Sequence, residues 1–364
     1  MIKRRKTHKI KIRNIYIGGD APVAVQSMTN TATKDVEATL KQIKRLEEAG
    51  CELVRVGVPD MESAKALGKI ISGTDLPVAA DIHFDAKLAH EAISQGVHKL
   101  RINPGNLRNR DEVKSLAKQA NSAGIPIRIG VNAGSLDPML YKKYEGICAE
   151  AMVESADREI VLLNKVGFDN IIISLKASSV PICVEAYRLM SQLCDYPMHI
   201  GITEAGTRNF GTIKSSVGLG ILLYEGIGDT LRVSLTDDPV QEIRVAWDIL
   251  KSLEIRQRGP ELISCPTCAR TQIDVVRIAC EVEERVRNIP YPLKLAVMGC
   301  VVNGPGEAKE ADLGIAGGKG KGVIFKEGKK LRVVDEENLL DSFMDEVGKL
   351  VEEMRNIASK EIRE

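Results

Sequence analysis

The chain has 364 residues, of which 44% are hydrophobic, and this is enough to bury a core and to form two domains. Its 51 basic and 50 acidic residues balance and 4% of its residues are aromatic. This composition argues against a nucleic-acid partner, which needs a basic field or stacking side chains. No apolar run approaches the ~18–20 residues that cross a bilayer, so we expect no membrane span.

The chain begins with a basic stretch, MIKRRKTHKIKIR, that no apolar signal-peptide core follows. We therefore expect a cytoplasmic protein. Alternating Ile10, Ile12 and Ile15 predict a short β-hairpin within residues 1–20, with its turn at Gly18-Gly19. A basic arm that binds nucleic acid is the alternative interpretation of this stretch.

From residue 23 to about 253, a short β-branched run is repeatedly followed by an amphipathic helix pattern. The eight runs that predict strands are residues 23–28, 52–58, 77–84, 98–103, 126–132, 170–176, 198–204 and 230–236. Glycines that we expect to end helices in the left-handed conformation are Gly50, Gly73, Gly96, Gly124 and Gly167. Apolar strands alternating with helices predict a parallel sheet buried on both faces, and eight units predict an α/β fold, a (β/α)8 TIM barrel, in residues 1–258.

An open doubly wound sheet is the alternative fold for this half of the chain. Such a sheet usually carries G-x-G-x-x-G after its first strand, whereas the residues there are SMTNT. The sequence therefore favours the barrel.

Polar side chains stand at the predicted carboxyl ends of the barrel strands, where barrel enzymes have their active sites. They are Arg55, Asp81, His83, Arg101, Asn103, Arg128, Asn132, Ser174, Lys176, Thr203, Glu204, Arg232, Ser234 and Thr236. Four arginines and a lysine in buried strands are costly unless each is paired with a carboxylate or directed at an anion. Because few acids stand at the strand ends, we predict a phosphorylated small molecule, with more than one phosphate, as the ligand.

Two residues of this set have alternative interpretations. His83, beside Asp81, is predicted to contact phosphate, and its alternative is a core histidine with one hydrogen bond. Glu204 is the glutamate among these cations, so it is the candidate for general acid–base work or for orienting a substrate hydroxyl. Its alternative is a salt bridge to Arg232 or Lys176.

The pattern breaks near residues 254–264, and Gly259-Pro260 predicts a domain boundary. Residues 259–364 predict an α+β domain. Its predicted elements are a strand into Cys265, a helix over 270–288, strands at 293–298, 313–316, 322–326 and 331–334, and a final helix over 336–358. The run GGKGKG at 317–322 does not match a phosphate-binding loop and predicts a hairpin turn.

The second domain carries C-x2-C at Cys265 and Cys268, then Cys300, then Glu307 at the end of GCVVNGPGE. Three interpretations of this spacing are open: structural zinc, a thioredoxin-like dithiol, or an iron–sulfur cluster held by three thiolates. Zinc lacks a second ligand pair here, because all five histidines lie in the barrel half. Of the remaining cysteines, Cys51, Cys183, Cys194 and Cys280 are expected to be small, packed hydrophobic residues. Cys148 is expected to begin a helix.

Long motifs along nearly the whole chain carry a family resemblance. They are QSMTNTAT, RVGVPD, DIHFD, LRINPGN, IRIGVNAGS, GITEAG, CPTC and GCVVNGPGE. With these motifs the sequence resembles the 4-hydroxy-3-methylbut-2-en-1-yl diphosphate synthases of the methylerythritol phosphate route to isoprenoids, in their bacterial two-domain form. The resemblance implies a [4Fe–4S] cluster on Cys265, Cys268 and Cys300, with Glu307 as the fourth, exchangeable ligand.

The resemblance also implies the reaction. The substrate would be 2-C-methyl-D-erythritol 2,4-cyclodiphosphate, reduced by two electrons, ring-opened and dehydrated to 4-hydroxy-3-methylbut-2-enyl diphosphate. The cluster would supply the electrons and a Lewis-acidic iron, and ferredoxin or flavodoxin would be the donor. A cluster-free barrel aldolase or pteroate-synthase-like transferase with a zinc tail, and a non-catalytic iron–sulfur carrier, are the alternatives.

The linker near Gly259 is short and follows the last barrel helix, so it should leave the barrel at the end opposite the active site. A head-to-tail homodimer would bring one subunit's cluster domain to the barrel of the other. The resemblance implies the same arrangement.

Overall fold

A computed structural model describes residues 2–83, 85–104, 106, 109–300, 306 and 309–361. The chain divides into two compact units, residues 1–256 and 257–364. None of the described helices is both long and apolar enough to cross a membrane.

The first unit is built from alternating strands and helices that follow a two-stranded hairpin. The hairpin strands are β1 (Ile10–Ile12) and β2 (Ile15–Ile17), and the barrel strands are β3 (Ala24–Met28), β4 (Leu53–Gly57), β5 (Val78–Asp81), β6 (Lys99–Ile102), β7 (Ile127–Asn132), β8 (Ile171–Lys176), β9 (His199–Ile200) and β10 (Thr230–Leu231). The helices are α1 (Val36–Glu48), α2 (Met61–Ser72), α3 (Ala86–Ser94), α4 (Arg110–Ala123), α5 (Pro138–Lys143), α6 (Ala149–Asn164), α7 (Val180–Leu193), α8 (Arg208–Tyr224) and α9 (Pro239–Ser252).

Eight parallel strands of the described residues form one sheet in the order β8-β7-β6-β5-β4-β3-β10-β9. A parallel bridge between Ile173 and Met198 joins the two edge strands and closes the sheet. The prediction of a (β/α)8 barrel is confirmed. The helices begin where the sequence supplies a cap: the Asp35 and Asp60 carboxylates, for example, accept from the N–H groups of Ala38 and Ser63.

The alternation of side chains along each strand separates two environments. Residues facing the helices, such as Val54 and Ile129, belong to the main apolar core. At the amino ends of the strands the interior is also apolar, where Leu53 and Ile172 form a cluster with Ile12 and Ile17 of the hairpin. The hairpin therefore covers the amino end of the barrel, and the polar interior lies above this apolar floor.

Two local predictions in this unit are wrong. The hairpin turns at Arg13 and Asn14, with Arg13 at φ 53°, and Gly18-Gly19 follows the second strand. Gly73 has φ −94° and is not left-handed. A Cβ at Gly73 would lie 2.6 Å from Leu40 Cδ1, so a larger residue there would require the Leu40 side chain of α1 to move.

The second unit is an α+β fold. Its described strands β11 (Glu261–Ser264), β12 (Lys294–Met298), β13 (Leu313–Gly318), β14 (Lys321–Lys326) and β15 (Lys329–Asp335) form one sheet in chain order. The first three strands are parallel and the last two antiparallel. Helices α10 (Val275–Val286) and α11 (Leu339–Glu361) share an apolar core with this sheet. The predicted hairpin turn in GGKGKG is present, with Gly320 at φ 66°.

Candidate active site

The barrel interior is lined with cations that alternate with apolar, outward-facing residues along the strands. The cations of the described residues are Arg55, Lys99, Arg101, Arg128, Lys176 and Arg232. Lys99 is 0% and Arg128 is 1% exposed. Lys99 was not predicted, although it has the same strand parity as Arg101 in the run 98–103, and this parity is the signal that could have identified it.

Asp81 links two of these cations. Arg101 Nη1 donates to its carboxylate at 3.0 Å, and Arg55 Nε lies 3.5 Å from the other oxygen. Burial raises the pKa of Asp81, but the charges of Arg55 and Arg101 outweigh it and hold the pKa below its ordinary value. Burial lowers the pKa of Arg55 to about 10. Asp81 therefore stays ionised and fixes two guanidinium groups. Its own negative charge disfavours direct contact with an anionic ligand.

Glu242 on α9 holds Arg232 in the same way. Its carboxylate accepts from Arg232 Nε at 3.2 Å and Nη2 at 3.1 Å, and also from the Leu235 N–H at 3.0 Å. Glu242 was not predicted, because it lies on a helix rather than at a strand end. The ion-pair alternative considered for the barrel cations therefore holds for Arg55, Arg101 and Arg232.

Arg128, Lys176 and Lys99 have no such partner: no ion pair joins them to a carboxylate within the part of the chain that the structure describes. Nε and Nη1 of Arg128 also have no hydrogen-bond partner among the described residues. Burial, together with the neighbouring positive charges, lowers the pKa of each of these three groups well below its ordinary value. In their charged forms these groups have no compensating carboxylate in the described part of the chain, and a bound anion would favour those charged forms.

Glycines give these long side chains their space. A Cβ at Gly130, in β7, would lie 2.6 Å from Arg101 Nε. At Gly201, which follows β9, it would lie 2.5 Å from Lys176 Nζ. Any larger residue at either position would displace a cation of the site.

The other predicted residues of the barrel differ in their exposure. Ser174 is buried, Asn103 donates to Ser135 Oγ at 2.8 Å, and the residues that are partly exposed are Asn132, Thr203 and Ser234. The His83 side chain is 41% exposed and its Nε2 lies 3.9 Å from Asp81, so it is not a core histidine. Glu204 is exposed with φ 51° and makes no described ion pair with Arg232 or Lys176.

The second unit brings cysteines together at one sheet edge. Cys265 follows β11 and Cys300 lies just beyond β12, and these strands are parallel, so their carboxyl ends share an edge. The Gly299 N–H donates to Cys265 Sγ at 3.1 Å. A hydrogen bond from the Arg270 backbone lowers the pKa of the exposed Cys268. These features favour thiolates, the form of cysteine that binds metal. Glu307, the predicted fourth ligand, lies outside the described residues.

The described side chains at this edge do not include three His, Cys, Asp or Glu residues that converge as ligands of one metal ion. A cubane cluster makes a different demand, because each thiolate binds a different iron and the sulfurs need not meet at one point. The amide donor to Cys265 also fits a cluster, whose sulfurs commonly accept hydrogen bonds. The residues present therefore fit an iron–sulfur cluster.

Four other cysteines were expected to be small buried residues, and this is wrong for one of them. Cys51 and Cys183 are buried, and burial raises their pKa values to about 12 and about 11. Cys194 is partly buried. Cys280 is exposed, because it lies on the solvent side of α10, away from the buried face that Ile278 and Val282 form.

Two family models match the chain, one described as the GcpE TIM-barrel domain over residues 7–247 and one as the GcpE protein C-terminal domain over residues 261–349. The chain belongs to the GcpE family. It is 57% identical to a 4-hydroxy-3-methylbut-2-en-1-yl diphosphate synthase (flavodoxin) of Caldanaerobacter subterraneus, over 97% of this chain and all of the relative. It is 54% identical to the protein of the same name from Clostridium acetobutylicum, over 95% of this chain and 99% of that one.

Membership of this family makes the chain an enzyme and confirms the resemblance found in its motifs. Among solved structures, it is similar to dihydropteroate synthases of Xanthomonas albilineans and Yersinia pestis, at 16% and 14% identity and a TM-score of 0.49 each. Both similarities cover 68% of this chain, and 97% and 99% of those proteins. An identity this low says nothing about which reaction a barrel catalyses.

Proposed function

We propose that this enzyme reduces 2-C-methyl-D-erythritol 2,4-cyclodiphosphate to 4-hydroxy-3-methylbut-2-enyl diphosphate. Counted on the uncharged acids, the reaction takes up two electrons and two protons, breaks the ring C–O bond to phosphate and releases one water. The observation that carries the proposal is the positive charge inside the barrel at Arg128 and Lys176, which no carboxylate of the described residues compensates. A cyclic diphosphate is small, carries two negative charges, and matches that charge.

The chain's own residues would bind and orient the diphosphate. Arg55 and Arg101, fixed by Asp81, and Arg232, fixed by Glu242, present guanidinium groups whose orientation is set before the ligand arrives. Guanidinium groups held in this way can form paired hydrogen bonds to phosphate oxygens, and they stabilise the charge that develops on the leaving phosphate. Glu204 is the candidate to hold or move a proton at the substrate hydroxyl.

We propose that Cys265, Cys268 and Cys300 hold a [4Fe–4S] cluster, with Glu307 as the fourth ligand. When bound, the cluster would supply the two electrons that the reaction needs. The relatives' names specify flavodoxin, so we propose flavodoxin as the electron donor, with ferredoxin as the alternative. All eight cysteines are free, which fits a reducing compartment and supports the cytoplasm as the location.

We also propose a head-to-tail homodimer with composite sites. Arg256, the last residue of the first unit, donates to the Val23 carbonyl at 2.8 Å and pairs with Glu52, beside the amino ends of β3 and β4. The chain therefore leaves the barrel at the end opposite the strand ends that carry the cations. The linker from residue 257 to 260 spans at most ~14 Å, and this favours a cluster domain supplied by a second chain.

Helix α8 offers a surface through which two chains could associate. Its exposed apolar residues follow a spacing of three and four along one side, namely Phe210, Ile213, Val217, Ile221 and Tyr224. Residues at this spacing form one apolar stripe, the α8 seam, against which a second helix can pack. A copy of the same helix would cover the seam symmetrically.

One experiment tests the proposed function. The protein is purified without oxygen, its iron and sulfide are assayed, and product formation from the cyclodiphosphate is measured with reduced flavodoxin. We expect about four irons and four sulfides per chain. Cys300→Ala should abolish activity and lower the iron content, whereas Cys280→Ala, a matched change at an exposed cysteine of the same unit, should change neither.

Active enzyme that contains stoichiometric zinc and no sulfide would contradict the cluster. Enzyme with an intact cluster that leaves the cyclodiphosphate unchanged would contradict the substrate.

A further inference from the structure

The structure places one basic residue of the interior, Lys99, next to the apolar floor of the barrel. It is the first residue of β6, pairs in register with Ala79 next to the apolar floor, and faces the interior two positions before Arg101. Its side chain is fully buried, and its Nζ donates to Gln26 Oε1 at 3.1 Å. Gln26 Nε2 has no partner among the described residues. A carboxamide accepts a hydrogen bond but carries no charge, so it does not neutralise an ammonium group.

The surroundings of Lys99 contain no carboxylate that is available to pair with it within the described residues. The charged and titratable groups on the elements around it are Arg55 of β4, Asp81 of β5, Arg101 of β6, Arg128 of β7, Lys176 of β8, His199 of β9, Arg232 after β10 and Glu242 of α9. Asp81 is engaged by two arginines and Glu242 by a third. The near neighbours of Lys99 are therefore cations or neutral groups, and burial with the charges of Arg128 and Arg55 lowers its pKa.

We propose that Lys99 is a residue of the diphosphate site, uncharged in the free enzyme and protonated when the ligand's negative charge enters the barrel. The inference rests on the proposed function, since it takes the cyclic diphosphate as the ligand. An entering anion binds beside the cations that disfavour the ammonium form, so it lowers the positive potential at Lys99 and favours protonation. Nothing is oxidised or reduced in this step: one N–H bond forms, and the proton comes from the solvent.

The cyclic diphosphate is a suitable probe of the coupling between ligand binding and proton uptake by the protein. Both of its phosphates are esterified, so each keeps one strongly acidic hydroxyl, and the ligand neither gains nor loses protons near neutral pH. Any proton taken up on binding must then go to the protein. The affinity should be highest at low pH and should weaken as the pH rises from the lysine's free-enzyme value to its raised value in the complex, since the bound state holds more protons.

The experiment is calorimetric titration of the holoenzyme with the cyclodiphosphate, without an electron donor, in buffers of different ionisation enthalpy at each of several pH values. We expect uptake of about one proton per site. Lys99→Met keeps most of the length of the side chain and removes the amine, so it should bind about ten- to a hundredfold more weakly and without proton uptake. Lys118→Met, at an exposed position of α4, should leave both the affinity and the uptake unchanged.

Several outcomes would overturn the assignment. They are proton uptake that persists unchanged in Lys99→Met, affinity of the wild-type enzyme that does not depend on pH, and a wild-type titration without uptake. The last two need no variant, so they decide the question even if Lys99→Met folds poorly. A ligand that does not bind to the wild-type holoenzyme at all overturns the proposed function itself, and this result is distinct from binding without proton uptake.

Discussion

Glu242 illustrates how a residue outside the strand ends shapes the site. Its carboxylate is 3% exposed and accepts both from the Arg232 guanidinium and from the Leu235 N–H. Such a carboxylate restrains the rotamers of the arginine before any ligand arrives, which lowers the entropy lost on binding. Glu242 is therefore a positioning residue, whose effect reaches the ligand through Arg232.

The first prediction concerns this pair. In Glu242→Gln one hydrogen bond to Arg232 remains but its charge partner is lost, and we expect KM for the cyclodiphosphate to rise about tenfold while kcat changes less. Steady-state kinetics measure the split. Glu47→Gln, at an exposed position of α1, is the control. A fall in kcat at unchanged KM would show that Glu242 does not act through binding.

Asp81 has a comparable role for Arg55 and Arg101, but it stands at a strand end and so looked like a ligand-binding residue in the sequence. Its ion pairs with Arg55 and Arg101 direct the carboxylate to protein cations. One acid that fixes two arginines leaves the pair with a net positive charge. The site thus keeps both orientation and attraction for an anion.

At the scale of the element, each strand contributes one inward-facing row, and its small residues matter as much as its charged ones. Gly130 of β7 lies against the Arg101 side chain of β6, whose Nη2 donates to the Gly130 carbonyl at 3.1 Å. The Arg101 side chain fits only because the facing position has no Cβ. A strand glycine commonly marks such a close approach.

The second prediction follows from this contact. The new Cβ in Gly130→Ala would lie 2.6 Å from Arg101 Nε, so the guanidinium must shift, and a shift of this size costs on the order of a hundredfold in kcat/KM. Gly134→Ala is the matched control, because a Cβ there meets nothing within 4 Å. Equal activity of the two variants would show that the position of Arg101 is not critical.

At the scale of the whole molecule, two functions are carried by two separate units. Among the described residues, the first unit supplies the cations, and the second supplies cysteines at the edge between β11 and β12. The proposed reaction needs both on one substrate. The amino-end exit of the chain at Arg256 makes a second copy of the chain the expected source of the missing half.

The third prediction tests this composite site. Arg101→Ala and Cys300→Ala should each be inactive, but a mixed dimer has one site with an intact barrel and an intact cluster. Random mixing should then restore about a quarter of the wild-type activity, since half of the dimers are mixed and each has one good site. Activity is measured after subunit exchange, with mixed dimers verified by two affinity tags.

Two outcomes bear on that prediction. No recovery in verified mixed dimers would show that each site is made within one chain. Charged residues on the α8 seam, as in Ile213→Glu with Val217→Lys, should prevent both dimerisation and recovery, and sedimentation measures the first effect.

The sequence determined the barrel because the period of its apolar runs and the amphipathic helices between them are local properties. Arg55, Arg101, Arg128 and Lys176 were predicted to be interior residues from strand position. The family membership, too, follows from contiguous motifs such as CPTC and LRINPGN. None of these features depends on which distant residue a side chain meets.

Tertiary structure alone decided the charge balance of the interior. Asp81 pairs with Arg101 of a neighbouring strand, and Glu242 of a helix pairs with Arg232. A count of the strand-end acids alone therefore predicted too few ion pairs inside the barrel. Lys99 could be identified as a candidate only after the ion pairs of the interior were known, because they show that no described carboxylate pairs with it. Electrostatic energy depends on distances across the barrel, which cannot be read from the order of residues. Hydrophobic periodicity is a property of that order itself, so the sequence is enough to find it.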